Sequence, residues 1–484
     1  SPNWPSAIEF SDQVSRIISA DLAAGKLLGP FVDPPFQNYI ISPLGVFQKR
    51  NSTKVRLIHD LSYPPKGSVN SLIDPANFTL SYASIDDAVE MISRLDTPSI
   101  FLSKMDLKDA YKTVFISPAD WHLMGFSWHD TAGRCQYYFS KVLNFGLRSA
   151  PFLFYFITSP LEQIMYYQGV SKSLIRYVDD FLIIGPSYAE CAKDLSLMLD
   201  VARASGFEIQ DSKVTAPARV IEFLGILIDT ERGELRISQE RLLDLKNEAE
   251  QWLQIGTITK RKLLSILGKC SFAARVIRNG RPFLARLFHA ANSVAQLHFR
   301  IRLTPEARSD LNWWVTCIES HNGVTIFRPD WTTNVKHLWT DASSLGLGGF
   351  NGHEWFSLSY TGSWEWLKDQ SINWREMHAA VLALYTWGPA LRNCSIIFHI
   401  DNTTACCIFN KAYSPVPSLM FFARHWFVAV EKFNLNVATV YIATQDNTDA
   451  DNLSRLRVAQ FREDNPHSSP TPTWPNDSFM SVHF

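Results

Sequence analysis

The sequence predicts a multidomain chain of mixed α+β character that closes in an α/β unit. Three observations predict it. At 484 residues, the chain has room for about three domains of roughly 100–200 residues each. Strand-like and helix-like runs alternate up to about Asp229, and a helical stretch follows from about Gln239 to Leu287, broken near Gly256. At Lys336 the pattern changes to strand, glycine-rich turn (Gly346, Gly348, Gly349), strand, amphipathic helix and strand, ending near Leu456.

The elements are read in order. Five prolines among the first forty residues give an irregular lead-in with one helix, about Ser11 to Ala24. Between Ile40 and Ile58, two alternating apolar runs flank Arg50-Asn51-Ser52-Thr53, the pattern of a β-hairpin with a polar tip. Thr304-Pro305-Glu306 opens another helix, with proline in its first turn. The residues after Leu456 carry four prolines and several Ser, Thr and Asn, and read as a flexible tail.

Composition narrows the function classes. Hydrophobic residues at 46% and charged residues at 19% exclude general disorder. A net charge of -1 excludes nucleic-acid binding through bulk charge, so any such site must come from local clustering. The 15 Trp and 32 Phe favour large cores and stacking surfaces. Seven cysteines without a paired Cys-x-x-Cys pattern argue against a zinc site or a disulfide framework, which predicts an intracellular, non-secreted protein. No apolar run is long enough to span a membrane. The first residue is Ser1, not Met, which reads as a fragment or a processed product.

Arg176-Tyr177-Val178-Asp179-Asp180-Phe181 sits between the apolar runs Leu174-Ile175 and Leu182-Ile183-Ile184. This predicts a tight hairpin with adjacent aspartates at its bend. Two carboxylates about 4 Å apart repel by on the order of 4 kcal/mol at an effective dielectric near 20. A bridging cation relieves that cost, and oxygen-only ligation suits Mg²⁺. Asp106 ends another apolar strand, Phe101 to Asp106, and offers a third carboxylate. Asp106, Asp179 and Asp180 can hold two metals for in-line nucleotidyl transfer. Taken alone the aspartate pair fits a solvated turn; the flanking strands and Asp106 favour the site.

These segments resemble reverse transcriptases. Tyr177-Val178-Asp179-Asp180 is similar to the family's active-site box, and Asp106-Leu107-Lys108-Asp109-Ala110-Tyr111 to the preceding acidic box. Asn144-Phe145-Gly146-Leu147-Arg148-Ser149-Ala150-Pro151 resembles the template-gripping box, with Asn144 where the family usually has proline. Phe223-Leu224-Gly225-Ile226 resembles the primer grip. The resemblance implies a right-hand polymerase of fingers, palm and thumb. It implies two Mg²⁺ per active site, with Mn²⁺ as substitute, and an RNA template, a DNA primer and dNTPs as partners.

The resemblance also assigns substrate contacts. Tyr111 stands at the steric-gate position, where a ring would clash with a ribose 2′-hydroxyl; a core tyrosine is the alternative. Lys49 and Arg56 match positions that clamp the triphosphate, and Asp109 lies in the same acidic box. Phe145 and Gly146 would pack under the nascent base pair, with glycine permitting close backbone approach. Lys213 resembles a lysine that protonates pyrophosphate, and a plain surface lysine fits as well.

From Lys260 to Arg286 there are eight basic residues and no acids. Lys260, Arg261, Lys262, Lys269, Arg275 and Arg278 are expected to track a phosphate backbone, although a charge run also reads as a solvated face.

A second set of acids falls at element ends: Asp341 after a strand, Glu376 opening a helix, Asp401 after a strand, and Asp451 in a final helix. Four carboxylates with no obvious basic partner again suit two divalent metals. The order resembles a ribonuclease H domain, which implies an RNA–DNA hybrid as substrate. The histidine that many members carry near the last acid is missing from Val440-Tyr441-Ile442-Ala443-Thr444. Asp401-Asn402-Thr403-Thr404-Ala405 and the late Leu453-Ser454-Arg455 look most like DIRS-type, tyrosine-recombinase retrotransposons, with gypsy-type elements and pararetroviruses as close relatives.

The expected fold is therefore a multidomain α+β right-hand polymerase followed by an α/β ribonuclease H-like domain. The expected division is an N-terminal extension (1–37), fingers and palm (38–233), a helical thumb (234–300), a connecting segment (301–332), the ribonuclease H-like domain (333–456) and the tail (457–484). The alternative is a domesticated, non-catalytic nucleic-acid-binding module on the same fold.

Overall fold

The computed structural model describes residues 2–48, 55–95, 97, 99–130, 132–318, 335–414 and 416–481, without the side chains of 278, 279 and 317. Lys49 lies outside the described residues, as does the side chain of Arg278. The chain forms two compact units, Ser1–Phe223 and Leu224–Phe484.

In the first unit, the alternating pattern yields the hairpin Leu44–Gln48 and Val55–His59, with Phe47 opposite Arg56. Four antiparallel strands form the sheet that carries the first acids, in the order Leu174–Tyr177, Asp180–Gly185, Phe101–Asp106, Thr215–Ala218. Helices Ala150–Tyr167 and Tyr188–Ala204 supply Phe154, Leu161, Leu195 and Met198 to a core shared with Met105, Phe181 and Ile183. Burying each such side chain contributes about 1.5–3 kcal/mol, which fixes the strand ends that bear the aspartates.

The first 37 residues are not an appended extension. Strand Leu27–Phe31 pairs antiparallel with Cys135–Ser140. Ala7, Val14 and Ile18 pack with Leu44, Phe126 and Trp128 in one core cluster. The i, i+4 pair Val14 and Ile18 carries the docking face, and the prolines conceal it in a composition-based reading.

In the second unit, Gly256 ends helix Gln239–Ile255 with a φ of 75°, and helices Lys260–Ala273, Ala285–Asn292 and Pro305–Cys317 follow. Thr304 caps the last of these by accepting from the Ala307 N–H at 3.2 Å. Strand Thr257–Thr259 pairs with Arg300–Arg302, so the expected thumb and connecting segments interlock.

A five-stranded sheet follows, in the order Trp355–Ser359, Gly346–Phe350, Val335–Ala342, Ser395–Ile400, Asn436–Tyr441. The last two strands run parallel to Val335–Ala342 and the first two form an antiparallel meander. Helix Ile372–Trp387, buried along most of its length, covers one face with helix Pro417–Lys432. The glycine-rich segment is a strand, not a turn. A Cβ on Gly348 would stand 2.5 Å from the Ala450 carbonyl oxygen, so its glycine admits helix Thr448–Ser454 against the sheet. The described part of the tail, residues 457–481, packs against the core. Phe461 and Phe479 are buried, and the Thr473 N–H donates to the Trp355 carbonyl at 2.8 Å. Two buried aromatic rings outweigh the disorder that the prolines suggest.

Candidate functional site

The first acids come together through strand register. Asp106 and Asp180 are partners on adjacent antiparallel strands, and Asp180 also pairs with Tyr177 across the bend. Val178 holds the bend at a φ of 57°, an unfavourable conformation for a β-branched residue. The Leu107 N–H donates to the Asp179 carbonyl at 3.0 Å, and the Gln210 N–H donates to that of Asp106 at 2.9 Å. These bonds fix the backbone at Asp179 and Asp106, and the strand pairing fixes Asp180. Burial pushes the Asp180 carboxyl up to about 7, reinforced by a hydrogen bond with Asp106 and by the charges of Asp106 and Asp179. Burial and Asp106 raise Asp179 as well.

Lys213 is exposed, and its Nζ lies 2.6 Å from Asp106 Oδ2. Burial lowers the Lys213 pKa, but Asp106, Asp180 and Asp179 outweigh it and the net shift is upward. An ammonium there partly offsets the repulsion among the acids.

Arg56, Phe145 and Tyr111 form one cluster, with the Tyr111 ring tilted 52° to that of Phe145. The Arg56 guanidinium lies 4.4 Å from the Phe145 ring centroid, and the Tyr111 ring is 5.0 Å from Phe145 and 5.6 Å from Phe154. Burial first, then the neighbouring Tyr82 and Asp179, push the Tyr111 hydroxyl up to about 12. The tyrosine is therefore half-buried among these rings and also lies near Asp179. Asp109 is exposed, with Lys26 at 3.8 Å.

The close approach at Gly146 is internal to the protein. Its φ is 120°, and a Cβ would fall 1.9 Å from the His59 carbonyl oxygen. Gly146→Ala is expected to destabilise the chain by about 2–3 kcal/mol, read as a lower urea midpoint; an unchanged midpoint would contradict the packing. Burial pulls the His59 pKa down to about 4, so the ring is neutral. The neutral tautomer that fits donates from Nε2 to the Gly125 carbonyl at 3.0 Å and accepts at Nδ1 from the Asn144 amide at 3.2 Å. Asn144, where proline is usual, thus has a definite partner.

The basic helix is less free than its sequence implies. Lys269 is held by Asp244 at 2.7 Å and by Glu248, so it is not available to a phosphate backbone. Lys260 donates to the Val294 carbonyl at 2.7 Å. Arg261, Lys262 and Arg275 remain exposed. A run without acids in sequence meets acids from the preceding helix in space.

The second set of acids gathers more tightly. Asp341, Glu376 and Asp401 each present an oxygen within 4.8 Å of the others. Burial pushes Asp341 up to about 7, with Asp401 and Asp451 adding to it against a hydrogen bond from Ser454. Burial and Asp341 raise Glu376 well above the usual range. Glu376 Oε1 accepts from the Ala342 N–H at 3.0 Å, whereas the buried Oε2 has no partner. An orphaned buried oxygen among oxygen-only donors fits a hard divalent cation.

Asp451 does not join that trio and does have a basic partner. Arg455 Nε lies 2.6 Å from its Oδ1. Ser454 donates to Asp341, and Thr444 donates to Asp401 at 3.0 Å. Sequence reading missed Arg455, Ser454 and Thr444; the i, i+4 spacing of Asp451 and Arg455 was the available signal. Thr444, Asn452, Arg455 and Arg457 line an open cleft of about 680 Å³ beside Asp451.

Residues 53–228 match the family described as "Reverse transcriptase (RNA-dependent DNA polymerase)", so this segment of the chain is a reverse transcriptase domain. Among its relatives, the Transposon Tf2-3 polyprotein of Schizosaccharomyces pombe is 24% identical over 376 residues, 76% of this chain and 26% of that polyprotein. The Tf2-7 polyprotein of the same organism matches at the same identity and coverage. The chain thus spans about a quarter of the length of these relatives.

A solved foamy viral protease-reverse transcriptase in complex with double-stranded DNA is similar with a TM-score of 0.53 and 16% identity, covering 92% of this chain and 71% of that one. The foamy viral protein with an RNA/DNA hybrid gives a TM-score of 0.51 and 15% identity, covering 91% of this chain and 54% of that one. At these identities the likeness establishes a shared fold. The second acidic cluster lies beyond residues 53–228, outside the family match. No described helix is long and apolar enough to cross a membrane.

Proposed function

We propose that the chain is an RNA- and DNA-dependent DNA polymerase that also cleaves the RNA strand of RNA–DNA hybrids, as part of a retrotransposon polyprotein. The observation that carries the polymerase reading is the register pair Asp106 and Asp180 with Asp179 on the bend beside them, within a reverse transcriptase domain. Asp106, Asp179 and Asp180 would hold Mg²⁺ at the first site, with Mn²⁺ able to substitute. Asp341, Glu376 and Asp401 would hold it at the second, with Asp451 at its edge. Two divalent ions per site supply activation of the attacking oxygen and neutralisation of the leaving group.

The chain's own side chains do the rest. Tyr111 excludes the 2′-hydroxyl of a ribonucleotide, and Arg56, braced on Phe145, reaches the triphosphate of the incoming dNTP. Lys213, held by Asp106, carries a proton that departing pyrophosphate can take. Arg261, Lys262 and Arg275 follow the backbone of the template and primer with little readout of bases. The foamy viral relatives were solved on double-stranded DNA and on an RNA/DNA hybrid, which supports RNA template, DNA primer and hybrid as partners here. The motifs around Asp401 and Asp451 support a DIRS-type lineage, and cysteine usage supports an intracellular site of action.

Primer extension on an RNA template with Mg²⁺ and dNTPs tests the polymerase reading. Templated extension is expected. Tight hybrid binding without extension would instead mark a non-catalytic nucleic-acid-binding module. In the same assay, Tyr111→Ala is expected to raise ribonucleotide incorporation relative to dNTPs by about ten- to a hundredfold; an unchanged ratio would remove the ring from sugar selection.

The raised carboxyls set a pH dependence. Asp180 and Asp341 hold their protons up to about 7 in the folded chain, whereas unfolded carboxyls ionise near about 4. The cation-free fold therefore loses stability as pH rises through that window. Mg²⁺ competes with those protons. Its stabilising effect on Tm is expected to be larger at about pH 8 than at about pH 5, and equal effects would show that the acids are ionised at both.

A further inference from the structure

The acidic turn that carries Tyr111 is held from outside the matched segment 53–228, by the end of helix Ser11–Ala23 and the chain reversal after it. Val14 and Ile18 dock that helix in the core, and Asp21, three residues beyond Ile18, lies on the same face. An acid in the last turn opposes the helix dipole, so local helix chemistry does not account for Asp21. Its partner does. Asp21 Oδ2 accepts from Lys112 Nζ at 2.6 Å, and the two side chains are only 16% and 19% exposed.

The reversal supplies a second hold. The Lys26 N–H donates to the Asp21 carbonyl at 2.9 Å, with Gly25 between them at a φ of 69°. Lys26 Nζ then stands 3.8 Å from Asp109 Oδ2, and the Lys26 carbonyl accepts from the Lys141 N–H at 2.9 Å. Asp109 and Lys112 are the two ends of one tight turn: Asp109 has a φ of 52°, and its carbonyl accepts from the Lys112 N–H at 2.7 Å. Tyr111 lies inside that turn, braced on both sides by residues 21–26. Ile18, Asp21, Lys112, Asn144 and Phe145 are among the residues lining a cavity of about 20 Å³, room for about one water. Helix, turn and the Phe145 segment therefore share one close-packed wall.

We propose that Asp21, acting through Lys112, is a positioning residue for the Tyr111 ring and so sets how strictly the polymerase rejects ribonucleotides. The inference rests on the reading of Tyr111 as the sugar gate. A ring that discriminates a single hydroxyl must be held to within about 0.5 Å by the groups behind it. Phe145 and Phe154 pack against the ring itself, whereas the ion pair anchors the residue that follows it in the chain. Without the charge of Asp21, the Lys112 ammonium must turn toward water. That movement pulls on the turn and lets Tyr111 recede from the sugar. Lys26 and Asp109, the more exposed pair, contribute less.

The test is a double-mutant cycle in primer extension by the full chain on an RNA template with Mg²⁺, reading the ratio of ribonucleotide to dNTP incorporation. Asp21→Asn, nearly isosteric, is expected to raise that ratio by about three- to tenfold, and to leave it unmoved where Tyr111→Ala is already present. A loss of global stability would lower both incorporations alike and would not give that pattern. Should Asp21→Asn misfold, the double variant Asp21→Asn, Lys112→Gln leaves no buried charge unpaired and is expected to give the same rise. An unchanged ratio, in a chain whose ratio Tyr111→Ala does raise, overturns the proposal and leaves the gate standing. So does an equal rise in both backgrounds, which would mean that Asp21 acts elsewhere. No response to Tyr111→Ala itself would fell the gate and the positioning role together.

Discussion

Asp179→Asn is expected to abolish dNTP incorporation while leaving cleavage of the RNA strand of a hybrid intact. Asp179 sits on the bend between two paired strands, and its backbone carbonyl is tied to the Leu107 N–H. Asparagine is nearly isosteric and keeps that backbone bond, so the hairpin is preserved. What is lost is one charge from the acids that would hold the cations. Electrostatic stabilisation of a transferring phosphoryl group is worth several kcal/mol, which is on the order of a thousandfold in rate. Removing the charge also relieves the repulsion among the acids, so thermal stability without Mg²⁺ should not fall. Loss of extension with an equal or higher Tm separates a catalytic role from a structural one. Retained extension would take Asp179 out of the site.

The mirror experiment is Asp401→Asn, expected to stop hybrid cleavage and spare primer extension. Of the second trio, Asp401 is the least buried: Asp341 and Glu376 are buried, and Asp401 is half-exposed. Its substitution is thus the least disruptive to packing, and an amide oxygen can still accept from Thr444. Glu376 Oε2 would remain an orphan, but the set would be one charge short. A loss on the order of a thousandfold is expected on the same grounds, read as disappearance of labelled RNA fragments under conditions where extension proceeds. Cleavage at the parent rate would remove Asp401 from the site and leave the polymerase reading untouched.

Much of the site was legible in sequence because its acids sit at the ends of short apolar runs. Alternation marks a strand, a buried strand fixes its end, and an acid at that end has one place to go. Asp106, Asp179 and Asp180 follow this rule, as do Asp341 and Asp401. The hairpin around Arg56 and the break at Gly256 were legible for the same reason. The glycine-rich strand at Gly346–Phe350 was not, because glycine there serves a helix that arrives about a hundred residues later, at Ala450 and Ser454.

By itself the sequence determined the periodicities, the order of the boxes and the residue types available for ligation. These are properties of neighbours along the chain, where backbone geometry dictates what faces what. The tertiary structure alone decided which charges are free. Lys269 is neutralised by Asp244 and Glu248, and Lys213 turns to Asp106. It also decided that the proline-rich ends pack through Val14, Ile18, Phe461 and Phe479, and that His337 meets His399. Coulomb attraction and burial depend on distance in space, and sixty or a hundred residues of intervening chain leave no local trace of that distance.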